Sequence, residues 1–585
     1  MIEVINVYKL FNKKFRRDFW ILIFLTLISV ILEAIGVSII VPLIALFNSK
    51  SDSFLYSKIR DFFYQFNDNL NRIQVIEIAL ILVLLFFLLK NIFLVFCIWL
   101  QNTFSNNFIN YVTNRLFQTY ITQPYIFHLD NNSSVLIKNV VGEVEALRDI
   151  VVNAITFISE IFVISSIVFL LIYFEPTGSI AIFSLVVCIV YIFSKFTKKH
   201  VTQWGKAKSI YLGLLTKNVM EALGGIKDII ILGREGKFLN EFKNNYTLYS
   251  NSNRKNVTLS SLPRLFLEFL SIFSLTLMSL ILILQNKSSD SIIPILSLFA
   301  FSAFRLMPSI NKVFNAVQHI RFCLPSVPII SNTLKLDFHT LLNGSGEKFE
   351  FSSVIEIKNI SFYYSSKNNI SLNNISFEIK KNSTIGIIGE SGSGKSTLVD
   401  ILLGLLTPQN GEIIVDGENI HQSMHKLRSW QNNIGYVPQQ IYLTDDTIRN
   451  NIALGISDND IDYGQIENVV RACQLEEYIQ GLSKGLDTIV GERGARLSGG
   501  QRQRIGIARA LYSEPSILVF DEATSSLDIE TEKSIITLMK SMTNKTVIIV
   551  AHRLSTIEHC DLVIRLQNGN ITDIGSYNQV VNKIY

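Results

Sequence analysis

Six stretches of this chain, at 19–47, 73–101, 149–173, 177–197, 262–285 and 291–312, are apolar runs of about the length a lipid bilayer requires. About 20 apolar residues cross hydrocarbon as a helix, because only a helix satisfies its own backbone hydrogen bonds there. The N-terminal half is therefore expected to be an all-α, six-helix membrane domain. The 49% hydrophobic content and 40 phenylalanines agree with that reading. The first run is too long for the core of a signal peptide and lacks a small-residue cleavage site, so it is expected to stay in the mature chain.

Charge orients these helices. Lys9, Lys13, Lys14, Arg16 and Arg17 precede the first run, and the loop after the fourth is rich in lysine, whereas the links at 174–176 and 286–290 are short. The positive-inside rule then makes the N-terminus and the loops after helices two and four cytoplasmic. With a net charge of +5 and basic residues gathered beside the apolar runs, no nucleic-acid partner is expected. Those two cytoplasmic loops have heptad-like apolar spacing with few breakers, which predicts helices that continue beyond the membrane. Between 49 and 72, Phe54, Leu55, Ile59, Phe62, Phe63 and Phe66 alternate with Lys58, Arg60 and Asp61. That pattern suits an amphipathic helix on the outer surface, or an ordinary packed loop helix. Cys97, Cys188, Cys323, Cys473 and Cys560 are scattered and signal neither a disulfide framework nor a zinc site.

The membrane pattern spans 1–322, a linker with Asn343-Gly344-Ser345-Gly346 is expected over 323–353, and an α/β domain occupies 354–585. Gly389-Glu390-Ser391-Gly392-Ser393-Gly394-Lys395-Ser396, followed by Thr397, lies between a strand (385–388) and a helical run. This is a phosphate loop: its backbone N–H groups converge on phosphate oxygens, Lys395 reaches the terminal phosphates of ATP, and Ser396 ligates Mg²⁺. A second strand delivers Asp521, suited to the Mg²⁺ shell, and Glu522, placed to polarise the attacking water as a general base. His552 follows a third apolar strand, where it is expected to contact the γ-phosphate.

Leu497-Ser498-Gly499-Gly500-Gln501, followed by Arg502-Gln503-Arg504, resembles the signature of the ABC ATPases and stands ahead of the Asp521 strand as in that family. In the same resemblance Tyr364 is the adenine-stacking aromatic, Gln439 the Q-loop glutamine that shares the metal, Ser525-Ser526-Leu527-Asp528 the D-loop, and Gly491-Glu492-Arg493-Gly494 an exporter-type motif. The family closes the signature of one domain over ATP held by another. The resemblance thus implies a dimer with a second copy of the chain, in which Ser498, Gly499, Gly500, Gln501 and Asp528 act in trans. The membrane half resembles type IV exporters, whose coupling helices would start near Gln123-Pro124-Tyr125 with Phe127-His128 and near Glu221–Lys227.

Substrate clues lie in the apolar runs. Lys90, Arg264, Arg305 and Lys312 fall roughly 20 to 30 Å below the outer ends of their helices. A cation in hydrocarbon costs about 3 kcal/mol unless it meets water, an anion or a counter-charge. Glu33 and Glu268 could supply counter-charge, and Arg264 and Lys312 could instead snorkel to the cytoplasmic interface. Arg305 and Lys312 share one face of a helix that Pro308 could kink. A basic stripe of this kind suits an anionic lipid headgroup. The runs Arg305–Ser309 and Leu262-Pro263-Arg264 also resemble the bacterial flippases of lipid-linked oligosaccharides for protein N-glycosylation, with Lys90 and Lys312 where that group has arginine. The expectation is ATP-driven outward movement of a polyprenyl-pyrophosphate-linked glycan across a bacterial inner membrane, with the ATPase domain cytoplasmic. Export of another lipid, a peptide or a drug-like amphiphile is the alternative, and an ATP-gated channel is disfavoured by the intact hydrolytic residues.

Overall fold

The computed structural model describes residues 2–39, 72–174, 176–284, 289–336, 351–364, 370–523, 529–551 and 553–581. The external amphipathic segment, the Asn343–Gly346 stretch, the D-loop and His552 lie outside the described residues. The chain divides into two units, Met1–Gln123 with Asp130–His339, and Pro124–Leu129 with Thr340–Tyr585.

The first unit is helical: α1 (Ile2–Lys9), α2 (Lys13–Ser38), α3 (Arg72–Ile121), α4 (Tyr125–Asp130, mostly grouped with the second unit), α5 (Ser133–Lys138), α6 (Val144–Phe174), α7 (Pro176–Gly224), α8 (Ile226–Leu232), α9 (Glu235–Leu284), α10 (Ser289–Cys323) and α11 (Ser326–Thr333). Among the described residues, five spans in α2, α3, α6, α7 and α9 are long and apolar enough to cross a membrane, and α10 is a sixth long helix. The helical continuation expected of the cytoplasmic loops is present. α3, α7 and α9 each run unbroken for about 50 residues, roughly 75 Å, more than twice the hydrocarbon thickness. Of the two expected coupling-helix starts, Gln123-Pro124-Tyr125 leads into the short helix α4, and Glu221–Lys227 spans the end of α7 and the start of the short helix α8.

α10 is continuous across Pro308. One expectation needs correction. The linker expected from 323 begins later, because α11 buries Val327 and Ile330 and belongs to the first unit.

Asn12 caps α2 by accepting from the Phe15 amide at 2.9 Å. The α2 end is then fixed by aromatic packing: Phe11 and Phe15 meet Phe104 and Phe108 of α3, with ring centroids 4.7 to 6.0 Å apart. Further along, Val30, Val163, Ile167, Leu171, Met278, Leu282 and Phe299 draw α2, α6, α9 and α10 into one buried cluster. By contrast, Ile81, Leu84, Ile92 and Val95 of α3 are exposed, as a lipid-facing surface would be.

The second unit is a two-sheet α/β domain. β1 (Val354–Tyr363), β2 (Ile370–Lys380), β4 (Asn410–Val415) and β5 (Glu418–Asn419) form an antiparallel sheet ordered β2-β1-β4-β5. The other sheet, ordered β10-β9-β3-β8-β7-β6, comprises β3 (Thr384–Gly389), β6 (Ile434–Val437), β7 (Ile517–Asp521), β8 (Thr546–Val550), β9 (Leu562–Gln567) and β10 (Asn570–Gly575). β3, β6, β7, β8 and β9 run parallel and only the β10 edge is antiparallel. Their near-continuous Val, Ile and Leu content follows from burial on both faces. Because β3, β8 and β7 are neighbours, their carboxyl ends bring the phosphate loop, the chain leading to His552, and Asp521-Glu522 to one edge. Within this unit Ile126 of α4 packs against the β-sheet core.

Candidate ATP site and membrane charge cluster

The turn after β3 depends on glycine. Gly394 has φ 104°, and a Cβ there would lie 2.7 Å from both Leu372 Cδ2 and the Ser371 carbonyl oxygen. It precedes α12 (Lys395–Leu402), whose free N–H groups and dipole make the turn an anion cradle. Lys395 donates to the carbonyls of Gly389 and Glu390 at 2.8 and 2.9 Å, which holds its ammonium over the loop. Burial pulls the Lys395 pKa below its ordinary value, and Glu522 and Asp521 oppose that shift. Tyr364 is brought to the same turn, with its hydroxyl 3.2 Å from Thr397 Oγ1.

Asp521 ends β7, where the Tyr436 hydroxyl donates to Oδ2 at 3.4 Å. The next residue, Glu522, adopts φ 50°, a left-handed conformation costly for a residue with a side chain and frequent at functional sites. Its amide donates to the Val550 carbonyl at 3.0 Å, tying it to β8. Gln439 Nε2 donates to Glu522 Oε2 at 2.6 Å, so the Q-loop amide and the expected base are in direct contact. Asp400, behind the phosphate loop, has its carboxyl pushed up to about 6 by burial and by Asp521. Neither Asp400 nor Tyr436 was anticipated, and a polar residue beside an apolar strand gives no periodic signal.

Ser498 and Gln501 form a reciprocal capping box at the start of α13 (Gly499–Tyr512). Ser498 Oγ accepts from the Gln501 amide at 3.1 Å, and Gln501 Oε1 accepts from the Ser498 amide at 2.9 Å. The box fixes the helix end whose N–H groups and dipole favour an anion. The phosphate loop, Gln439, Asp521 and Glu522 thus converge. One hydroxyl, one carboxylate and an amide, Ser396, Asp521 and Gln439, match the sparse oxygen set that Mg²⁺ accepts beside phosphates.

Among the described residues, Arg264, Arg305 and Lys312 are each paired with a carboxylate. Arg305 Nη2 donates to Glu33 of α2, and Nη1 donates to Ser309 Oγ at 3.3 Å. Lys312 Nζ lies 2.6 Å from Glu160 Oε1 of α6. Arg264 sits 3.7 Å from Glu268 in an exposed pair. Lys90 Nζ stands 4.7 Å from the ring centroid of Phe87, one turn away on the same helix. Arg305 and Lys312 thus stand two turns apart on α10, each held by a carboxylate of another helix. Arg264 keeps the Glu268 partner its spacing implied. Lys312 does not merely snorkel, because a buried carboxylate anchors it. Sequence reasoning missed Glu160, although an acid in the middle of the apolar run 149–173 was a visible signal.

The sequence profile described as ABC transporter matches residues 372–525, and that described as ABC transporter transmembrane region matches 19–306. The chain belongs to the ABC transporters, ATP-driven transport proteins, and holds one transmembrane region and one ATPase domain. It is 30% identical over 490 residues to the ATP-dependent lipid A-core flippase of Pasteurella multocida, with 82% of each chain covered. It is 41% identical over 242 residues to that of Haemophilus ducreyi, covering 41% of each. A bacterial Atm1-family ABC exporter solved with ATP bound shares the fold, with a TM-score of 0.75, 21% identity, and coverage of 98% of this chain and 97% of that one.

Proposed function

We propose that two copies of this chain use ATP hydrolysis to move a phosphorylated glycolipid outward across a bacterial inner membrane. The observation that carries this reading is the pair of cations on α10, Arg305 and Lys312, each held by a buried carboxylate of another helix while the cation stays more exposed. Such groups persist in hydrocarbon where they serve a polar ligand. The lipid A-core named for the relatives is one phosphorylated glycolipid, and the polyprenyl-pyrophosphate-linked glycan of the sequence resemblance is another. We favour the second. The alternative, export of another lipid, a peptide or a drug-like amphiphile, draws support from a mainly apolar cleft of about 710 Å³ lined by Phe193, Phe196, Leu262, Phe266 and Phe314.

In the ATPase domain, the loop Gly389–Ser396 binds the phosphates and Tyr364 the base. Mg²⁺, held by Ser396, Asp521 and Gln439, would neutralise developing phosphate charge. Glu522 accepts a proton from the attacking water, positioned by Gln439 and His552. Ser498 to Gln501 and Asp528 of one copy complete the site of the other. The test is stimulation of ATP hydrolysis in detergent by a pyrophosphate-linked glycolipid, a lipid A-core and a neutral glycolipid. Stimulation by either phosphorylated lipid but not the neutral one supports the reading, and equal stimulation by all three refutes it.

A further inference from the structure

We propose that Glu33 and Glu160 are specificity-determining residues that set the charge of headgroup this transporter accepts. The inference rests on the flippase reading above and deepens it. Lys90, Arg305 and Lys312 carry three positive charges within the membrane helices, and Glu33 and Glu160 bring their net to one per chain. A dimer then presents about two positive charges to its cavity, matching the two negative charges of a pyrophosphate joined at both ends.

The geometry separates these acids from generic counter-ions. Glu33 and Glu160 are 7% and 6% exposed, while the side chains of their cations are 24% and 53% exposed. The acids stand behind the cations, so each neutralises one charge without blocking the face that remains open. Glu160 Oε2 is buried with no hydrogen-bond partner among the described residues, so this carboxylate spends only one oxygen on Lys312. Glu33 is bonded to Arg305. A headgroup with fewer charges underuses this wall, and one with more leaves uncompensated anion in a medium of low dielectric. Glu33 and Glu160 act through Arg305 and Lys312, not by touching the headgroup, which makes them positioning residues.

The experiment uses the full chain in phosphatidylcholine vesicles with three polyprenyl probes. One is a sugar linked through a single phosphate, one a sugar linked through pyrophosphate, and one a bare diphosphate, of about one, two and three negative charges. The readout is the ratio of ATP-dependent transport between probes in one preparation, so a general loss of activity cancels. Wild type should favour the pyrophosphate-linked sugar. Glu160→Gln, which adds two positive charges per dimer, should shift the ratio toward the bare diphosphate by about fivefold or more. Glu160→Asp should keep the wild-type order. Glu33→Gln adds the same charge at a second site and should shift the ratio in the same direction, which keeps the test open if Glu160→Gln folds poorly. An unshifted ratio in whichever of the two Gln variants folds, or a shifted one in Glu160→Asp, overturns the proposal. A wild type that moves none of the probes overturns the flippase reading, and this inference with it.

Discussion

Lys312 Nζ lies 2.6 Å from Glu160 Oε1, and the carboxylate is buried while the ammonium is half exposed. Breaking such a pair from the cation side strands a charge in the helix bundle. Lys312→Met should therefore destabilise the membrane unit by up to about 3 kcal/mol. Adding Glu160→Gln should recover most of the loss. The apparent thermal midpoint in detergent checks both, and a midpoint unmoved by Lys312→Met would show that the pair contributes nothing.

Glu522→Gln keeps the shape beside Gln439 but removes the base. ATP should still bind and turnover should fall by at least ~100-fold, with the closed dimer accumulating. Steady-state hydrolysis in parallel with cross-linking between ATPase domains reads both outcomes, and hydrolysis at the wild-type rate would remove Glu522 from its assigned role.

At Gly394 the constraint is steric and conformational together. Gly394→Ala places a Cβ 2.7 Å from Leu372 and Ser371 at φ 104°, so the phosphate loop must deform. Lys395→Ala instead leaves the loop and removes a cation. Both should weaken ATP binding, but only the first should also lower the thermal midpoint of the ATPase domain. Nucleotide titration and thermal unfolding on the same preparations separate them.

Burial pushes the thiols of Cys473 and Cys560 up to about 12. Their folded pKa is raised, so at pH 7 to 8 almost no thiolate is present, and both should resist a maleimide until the ATPase domain opens. Labelling in the native state, read by mass spectrometry with and without denaturant, would contradict the buried placement.

Much of this architecture was legible because its signals are local. Bilayer-length apolar runs announce α2, α3, α6, α7, α9 and α10, and the phosphate loop, Asp521-Glu522 and signature are fixed by short spacing. What escaped depends on partners distant in sequence. Glu160 meets Lys312 from 152 residues away, and Tyr436 reaches Asp521 across 85. Neither pairing has a period. The helix Ser326–Thr333 was hidden by its polar residues, although Val327 and Ile330 bury one face of it.

Lys90 and Arg305 make the substrate reading specific to charge. Lys90→Arg should retain or raise transport, since a guanidinium grips phosphate with paired donors, whereas Lys90→Gln should lose most of it. Nucleotide affinity measured on the same protein should persist in both.

The central claim is tested most directly by following a fluorescent pyrophosphate-linked glycolipid across the bilayer of reconstituted vesicles. Wild type should move it only with ATP, Glu522→Gln should not move it, and Arg305→Gln should bind ATP yet lose most of the movement. Movement without ATP, or an Arg305→Gln protein that flips the lipid at the wild-type rate, would contradict the account.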